Sequence, residues 1–160
     1  MTVRTLILLR HAKAANPDDY ATDIERPLTA RGHRDAAAAG HWLRKAGLVP
    51  DAVLCSTAVR TRQTLDELRL AGEVPVTYEH RIYVGPADDT LDLIRHVDAT
   101  VATLLLVGHN PTISDLSDTL APRALADGGL ATSGIAVHRF NGSWRGLESA
   151  GLTDQHTARG

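Results

Sequence analysis

Leu6-Ile7-Leu8-Leu9-Arg10-His11 and Leu104-Leu105-Leu106-Val107-Gly108-His109-Asn110-Pro111 decide the fold. Each is a short apolar run that breaks off into polar residues, the pattern of strands buried on both faces of a parallel sheet. In open α/β sheets ligands bind beyond the carboxyl ends of the strands, so the two histidines are expected to share one crevice. A third run, Ala52-Val53-Leu54-Cys55-Ser56, leads through Thr57-Ala58-Val59 to Arg60, one helical turn past Ser56. Arg10, His11, Arg60 and His109 thereby converge on a candidate phosphate site.

Working outward from these runs, the pattern predicts strands over 3–9, 51–55, 74–78 and 102–107. Between them it predicts helices over about 30–46, 57–70, 88–97 and 112–120. Thr29 is placed to cap the first helix and Gly47 to stop it, and Asp88 and Asp89 open the third. The turn residues of Asn16-Pro17-Asp18-Asp19-Tyr20 predict a loop, and 121–133 reads as another. Asn141-Gly142 is a hairpin signal and predicts two paired strands, 134–140 and 143–148. Residues 150–160 read as a frayed polar tail. The alternation of strands and helices implies an α/β protein, a three-layer α/β/α sandwich with a mostly parallel central sheet.

The 160 residues fit one domain, 1–160, large enough to bury a core without disulfides or metal. A net charge of −2 provides no general basic field, so neither nucleic acid nor a membrane surface is expected as a partner. The single cysteine excludes an intrachain disulfide, and the first residues lack the pattern of a secretory leader. A cytoplasmic protein is expected.

A phosphoryl group in transfer spreads negative charge over its equatorial oxygens, so its catalyst needs fixed cations and an in-line nucleophile. Arg10, Arg60 and His109 are the expected cations and His11 the nucleophile. Neighbouring guanidinium groups disfavour protonation of His11, keeping a lone pair available at neutral pH. The phosphohistidine so formed would be hydrolysed by water in a second step, a scheme that requires neither metal nor cofactor. His33, His41, His80, His96, His138 and His156 show no metal-ligand spacing. Cys55 reads as a buried strand-end cysteine, because the four residues between it and Arg60 include no glycine. Trp42 and Trp144 read as packing residues.

Four blocks carry a resemblance: Arg10-His11-Ala12-Lys13, Asp23-Ile24-Glu25-Arg26-Pro27-Leu28-Thr29-Ala30-Arg31-Gly32, Ser56-x-Ala58-x-Arg60-x-x-Gln63-Thr64, and Gly108-His109-Asn110-Pro111. In this order they resemble the histidine phosphatase superfamily, whose fold is phosphoglycerate mutase-like, and within it the small SixA-type branch. The resemblance implies that His11 is phosphorylated, that Arg10 and Arg60 clamp the phosphate, and that His109 stabilises the transferring group. Ala12 stands where the superfamily usually has glycine. Larger members also place a carboxylic acid after the third strand; here Glu79, Asp88 and Asp89 are the nearby candidates. Lys13 and Asn110 are further candidates for substrate binding, and Arg26 either shapes the rim or pairs with Asp23 or Glu25. An alkoxide leaving group needs a proton, whereas a phosphohistidine imidazole leaves more readily. The expected activity is therefore a phosphohistidine phosphatase acting on a phosphorylated protein such as a phosphotransfer domain, through a shallow site with no inserted lid. Two alternatives stay open: a phosphatase of small molecules or nucleotides, and a binding module that senses phosphorylated partners without turnover.

Overall fold

The computed structural model describes residues 2–160. Six strands form one sheet in the order β3-β2-β4-β1-β5-β6: β1 Val3–Arg10, β2 Ala52–Ser56, β3 Val76–Glu79, β4 Thr103–Gly108, β5 Gly134–Asn141 and β6 Gly151–Thr157. The β1–β4, β2–β4 and β2–β3 pairs are parallel, and β5 is antiparallel to both β1 and β6. The expected mostly parallel α/β sheet is the observed one.

Alternation along the central strands divides the core in two. Leu6, Leu8, Leu104 and Leu106 face one side, where they pack with Ile82, Leu91, Ile94, Ile113 and Leu116. These partners come from α3 (His80–Val84), α4 (Ala87–Arg95) and α5 (Thr112–Leu120). Ile7, Leu9, Leu105 and Val107 face the other side, against Ala39, Leu43, Leu65 and Leu68. There the helices are α1 (Ala30–Lys45) and α2 (Val59–Leu68). Because both faces are covered, the strands are apolar throughout rather than alternating, which is why they could be read as continuous runs. Thr29 caps α1 through its hydroxyl, which accepts the Gly32 N–H at 3.0 Å. Gly40 lets α1 lie against α2, since a Cβ there would stand 2.1 Å from the Leu68 carbonyl oxygen.

The register places the site. Arg10 lies opposite Gly108, and the His11 N–H donates to the Gly108 carbonyl at 3.1 Å. His11 and His109 therefore leave adjacent strand ends side by side. The following helices, α1 and α5, go to opposite faces of the sheet, so this is a topological switch point, where a crevice opens.

Two expectations are corrected. Residues 143–148 do not form a hairpin strand. Instead Trp144, 1% exposed, turns into the core, where its Nε1–H donates to the Val101 carbonyl at 2.7 Å and its ring meets Phe140 edge-on. Burying that indole satisfies more surface than a tight Asn-Gly turn would. The partner of β5 is therefore supplied by 151–157, so 150–160 is an edge strand with its end docked rather than a frayed tail. The polar residues of β6 hid it, as an edge strand need bury little. The helix α3 also went unread: its five residues are too few to show a period.

Candidate active site

Each of the four expected residues sits at a strand end or on the first turn beyond one. His11 is 8% exposed and His109 9%, with ring centroids 5.3 Å apart. The His11 Nδ1–H donates to its neighbour, the Ala12 carbonyl, at 2.7 Å. A carbonyl can only accept, so the proton is on Nδ1 and the Nε2 lone pair is free. Burial, reinforced by the charges of Arg60, Arg10 and Arg26, holds the His11 pKa down to about 4, against the hydrogen bond to Ala12. Burial contributes more to this lowering than the arginines do.

Ala12 fits without strain. It is fully buried against Leu28 and Ala36, its N–H donates to the Thr64 hydroxyl at 3.0 Å, and its backbone is not in the left-handed region. The glycine this close packing requires is Gly32 instead, where a Cβ would lie 2.1 Å from the Lys13 carbonyl oxygen.

Arg60 is 6% exposed. Its Nη1 donates to the Asp23 carbonyl at 2.9 Å and its Nη2 to the Asp23 carboxylate at 3.0 Å. Arg10 donates from Nη1 to the Leu130 carbonyl at 3.1 Å. Both arginines are thus fixed by their outer nitrogens. Three nitrogens of the site, Arg10 Nε, Arg60 Nε and His109 Nδ1, are buried without a hydrogen-bond partner. Buried polar groups are normally paired, and three unpaired ones in a single cluster form a ready cradle for an anion with several oxygens.

His109 is held toward its neutral form in the free protein. Burial, with the neighbouring His11 and Arg60, pushes its pKa down to about 3. In the free protein its ring is therefore set to offer a hydrogen bond. Its Nε2 lies 2.7 Å from the Ser56 hydroxyl.

Two residues of the site went unrecognised in the sequence. Asp23 belongs to a quoted block but was considered only as a partner for Arg26; it does pair with Arg26 at 2.9 Å, and it also clamps Arg60. Burial works against its charge, yet hydrogen bonds from Tyr83, Arg60 and Arg26 hold its pKa down to about 2. Tyr83 donates its hydroxyl to Asp23 at 2.7 Å, sets its ring edge-on to His109 at 5.6 Å and lies under the Arg60 guanidinium at 5.8 Å. A lone tyrosine in an unread helix gave no signal. Through Asp23 and Arg26 the segment after β1 joins the site, and the histidines are less exposed than a shallow site implies.

Among the described residues, the side chains of the remaining candidates make no hydrogen bond to either histidine. The Asn110 amide donates to the Leu130 carbonyl at 2.7 Å and accepts from Ser114 at 2.6 Å, so its side chain holds the 121–133 loop in place. Lys13 is exposed; its carbonyl, not its ammonium, is engaged, by the Thr29 N–H at 2.9 Å. Asp89 pairs with Arg81 at 3.7 Å, Asp88 is exposed, and Glu79 is half-buried. No hydrogen bond or ion pair among the described residues joins any of the three carboxylates to His11 or His109. Cys55 is buried, which pushes its thiol up to about 12 and makes it a poor nucleophile.

A family model, the histidine phosphatase superfamily (branch 1), matches residues 6–83. A structure from Nakamurella multipartitia, named as a candidate phosphohistidine phosphatase SixA, is 35% identical and superposes with a TM-score of 0.89 over 99% of this chain and 98% of that one. The chain belongs to the histidine phosphatase superfamily, branch 1. The chain is also 43% identical to an uncharacterized protein of Mycobacterium tuberculosis, over 94% of this chain and all of the relative. The phosphohistidine phosphatase SixA of Escherichia coli is 29% identical over 73% of this chain and 74% of its own length.

Proposed function

We propose that this chain hydrolyses phosphohistidine on a protein, through a phosphorylated intermediate on His11. The observation that carries the reading is the trio of buried, unpaired nitrogens, Arg10 Nε, Arg60 Nε and His109 Nδ1, beside a histidine whose Nε2 lone pair is free. In this mechanism His11 Nε2 attacks phosphorus while the bond from phosphorus to the substrate's ring nitrogen breaks. The departing imidazole takes its proton from solvent. Water then attacks the phosphohistidine, releasing inorganic phosphate and restoring His11. The arginines and the His109 ring hydrogen-bond to the equatorial oxygens in both steps. No metal or cofactor has a place in this scheme, and the described residues hold no cluster of three or more histidines, cysteines or carboxylates able to bind a metal ion.

The preference for a phosphorus–nitrogen substrate rests on the carboxylates. Among the described residues Asp23 is the one carboxylate hydrogen-bonded to Arg60, and with its pKa lowered to about 2 it carries no proton at neutral pH. Asp23 thus offers a leaving alkoxide no proton, whereas an imidazole needs less help. The relationship to the SixA proteins supports the same substrate class. Phosphate release from a phosphohistidine protein and from para-nitrophenyl phosphate, measured side by side with EDTA present, tests the proposal. The expected result is preference for the protein, lost in His11→Ala; activity confined to the ester would move the substrate to small molecules. Binding of the phosphoprotein without any release would leave a sensing module.

A further inference from the structure

We propose that Ser56 is a positioning residue that fixes the tautomer of His109, keeping the proton on Nδ1, where it faces the transferring phosphoryl group. The inference deepens the proposed function and rests on it for its catalytic part, but its geometry stands alone.

Ser56 is fully buried at the end of β2, so its hydroxyl proton has no access to bulk water. Its oxygen has two partners among the described residues: the Ala58 N–H at 3.2 Å and His109 Nε2 at 2.7 Å. The Ala58 amide can only donate, so it occupies one lone pair of the hydroxyl. The hydroxyl proton then has one acceptor within reach, the lone pair of His109 Nε2. If His109 instead carried its proton on Nε2 and donated to Ser56, the serine proton would be buried without an acceptor. His109 Nδ1 would at the same time be a buried bare acceptor, with its lone pair turned toward phosphoryl oxygens that are also acceptors. Each of those orphaned groups is costly in a dry site. With Ser56 as donor the serine proton is satisfied and Nε2 accepts, while the Nδ1–H, unpaired in the free protein, becomes a third donor to the phosphoryl group beside Arg10 Nε and Arg60 Nε.

The two histidines thereby hold the same Nδ1–H tautomer and turn opposite ring nitrogens to opposite tasks. The Ala12 carbonyl draws the His11 proton to Nδ1 and frees Nε2 for attack. Ser56 occupies His109 Nε2 and leaves Nδ1–H for hydrogen bonding. Each choice is made by the group on the far side of the ring from the reaction. Ser56 also tethers the start of α2, since its carbonyl accepts from the Thr61 hydroxyl at 2.9 Å, so β2, α2 and the His109 ring are registered to one another through this residue.

The test uses the full chain with 15N-labelled histidine. Ring nitrogen shifts report the tautomer of His109, and steady-state kinetics on a phosphohistidine protein report its consequence. In the wild type, His109 is expected to show a protonated Nδ1 and an unprotonated Nε2. In Ser56→Ala, a nearly isosteric change, the Nε2–H form should become populated, with kcat lowered about tenfold and KM within about twofold. That drop is smaller than loss of a whole transition-state donor would give. A His109 protonated on Nε2 in the wild type would overturn the inference, as would a Ser56→Ala protein with unchanged tautomer and kcat. An inactive wild type with the expected ring signature would defeat the proposed function while leaving the assignment of Ser56 to His109 intact.

Discussion

Arg60 shows how much of this site depends on single atoms. Its outer nitrogens are committed to Asp23, and its Nε is buried without a partner. Lysine cannot reproduce that fork, so Arg60→Lys should lower kcat/KM by about 100-fold, roughly the effect of losing one preorganised donor. Tyr83→Phe keeps the ring against His109 but removes the hydroxyl from Asp23, and should cost a smaller factor, about threefold to tenfold in kcat/KM. Steady-state kinetics on one substrate preparation ranks the two. His11 supplies a pH test. Its pKa is lowered to about 4, so the ring that must be neutral to attack stays neutral well below the ordinary histidine range. An NMR titration of free protein should find His11 unprotonated at pH 5.5, and titration near pH 6.5 would contradict its burial. At this scale the sequence was most legible where a residue type announces its chemistry at a strand end. It was least legible for Asp23 and Tyr83, whose roles arise from a contact across 60 residues of chain.

Elements explain why the four residues stay in register. The chain Ser133–His11 is one example: the Ser133 N–H donates to the His11 carbonyl at 3.0 Å, and the Ser133 hydroxyl donates to the Asp35 carbonyl on α1 at 3.1 Å. The Asp35 carboxylate, 1% exposed, accepts the Gly160 N–H at 2.9 Å and lies 3.7 Å from Arg159. The segment after β6 is thus pinned to α1 directly behind the nucleophile. Asp35→Ala should destabilise the fold by about 2 kcal/mol, the cost of orphaning groups that a buried acceptor had satisfied, and chemical denaturation measures it. Unchanged stability would mean that the docked end contributes nothing. None of this was legible beforehand, because polar residues such as Thr153, Asp154 and Gln155 carry no pattern unless the strand they pair with is known. The central strands and α1, α2, α4 and α5 were legible because burial on both faces and helical periodicity write themselves into consecutive residues.

The whole molecule stores several neutral histidines, and its stability should depend on pH accordingly. His11, His109 and His138 all have folded pKa values lowered by burial, so the unfolded chain binds protons that the folded one refuses. Stability is fully present above the ordinary histidine pKa of about 6.5 and falls as pH drops below it. Asp23, lowered to about 2, adds a loss of the same sign below about pH 4, the unfolded carboxylate range. Thermal melting from pH 7.5 to pH 4.5 should show Tm falling steadily. His138, buried between the Ser117 hydroxyl and the Ala150 carbonyl, predicts that the fall persists in a His11→Ala protein. The site's neutrality and the fold's acid sensitivity have one origin, since the switch point that brings His11 beside His109 also removes both from water. The central claim is that this crevice transfers phosphate through His11. Its most direct test is brief incubation with a 32P-labelled phosphohistidine protein, followed by alkaline quench and separation of the two proteins. Wild type should carry acid-labile, alkali-stable label that maps to His11, and His11→Ala should carry none. Phosphate release with no label on His11 in the quenched wild type, or label that persists in His11→Ala, would contradict the account.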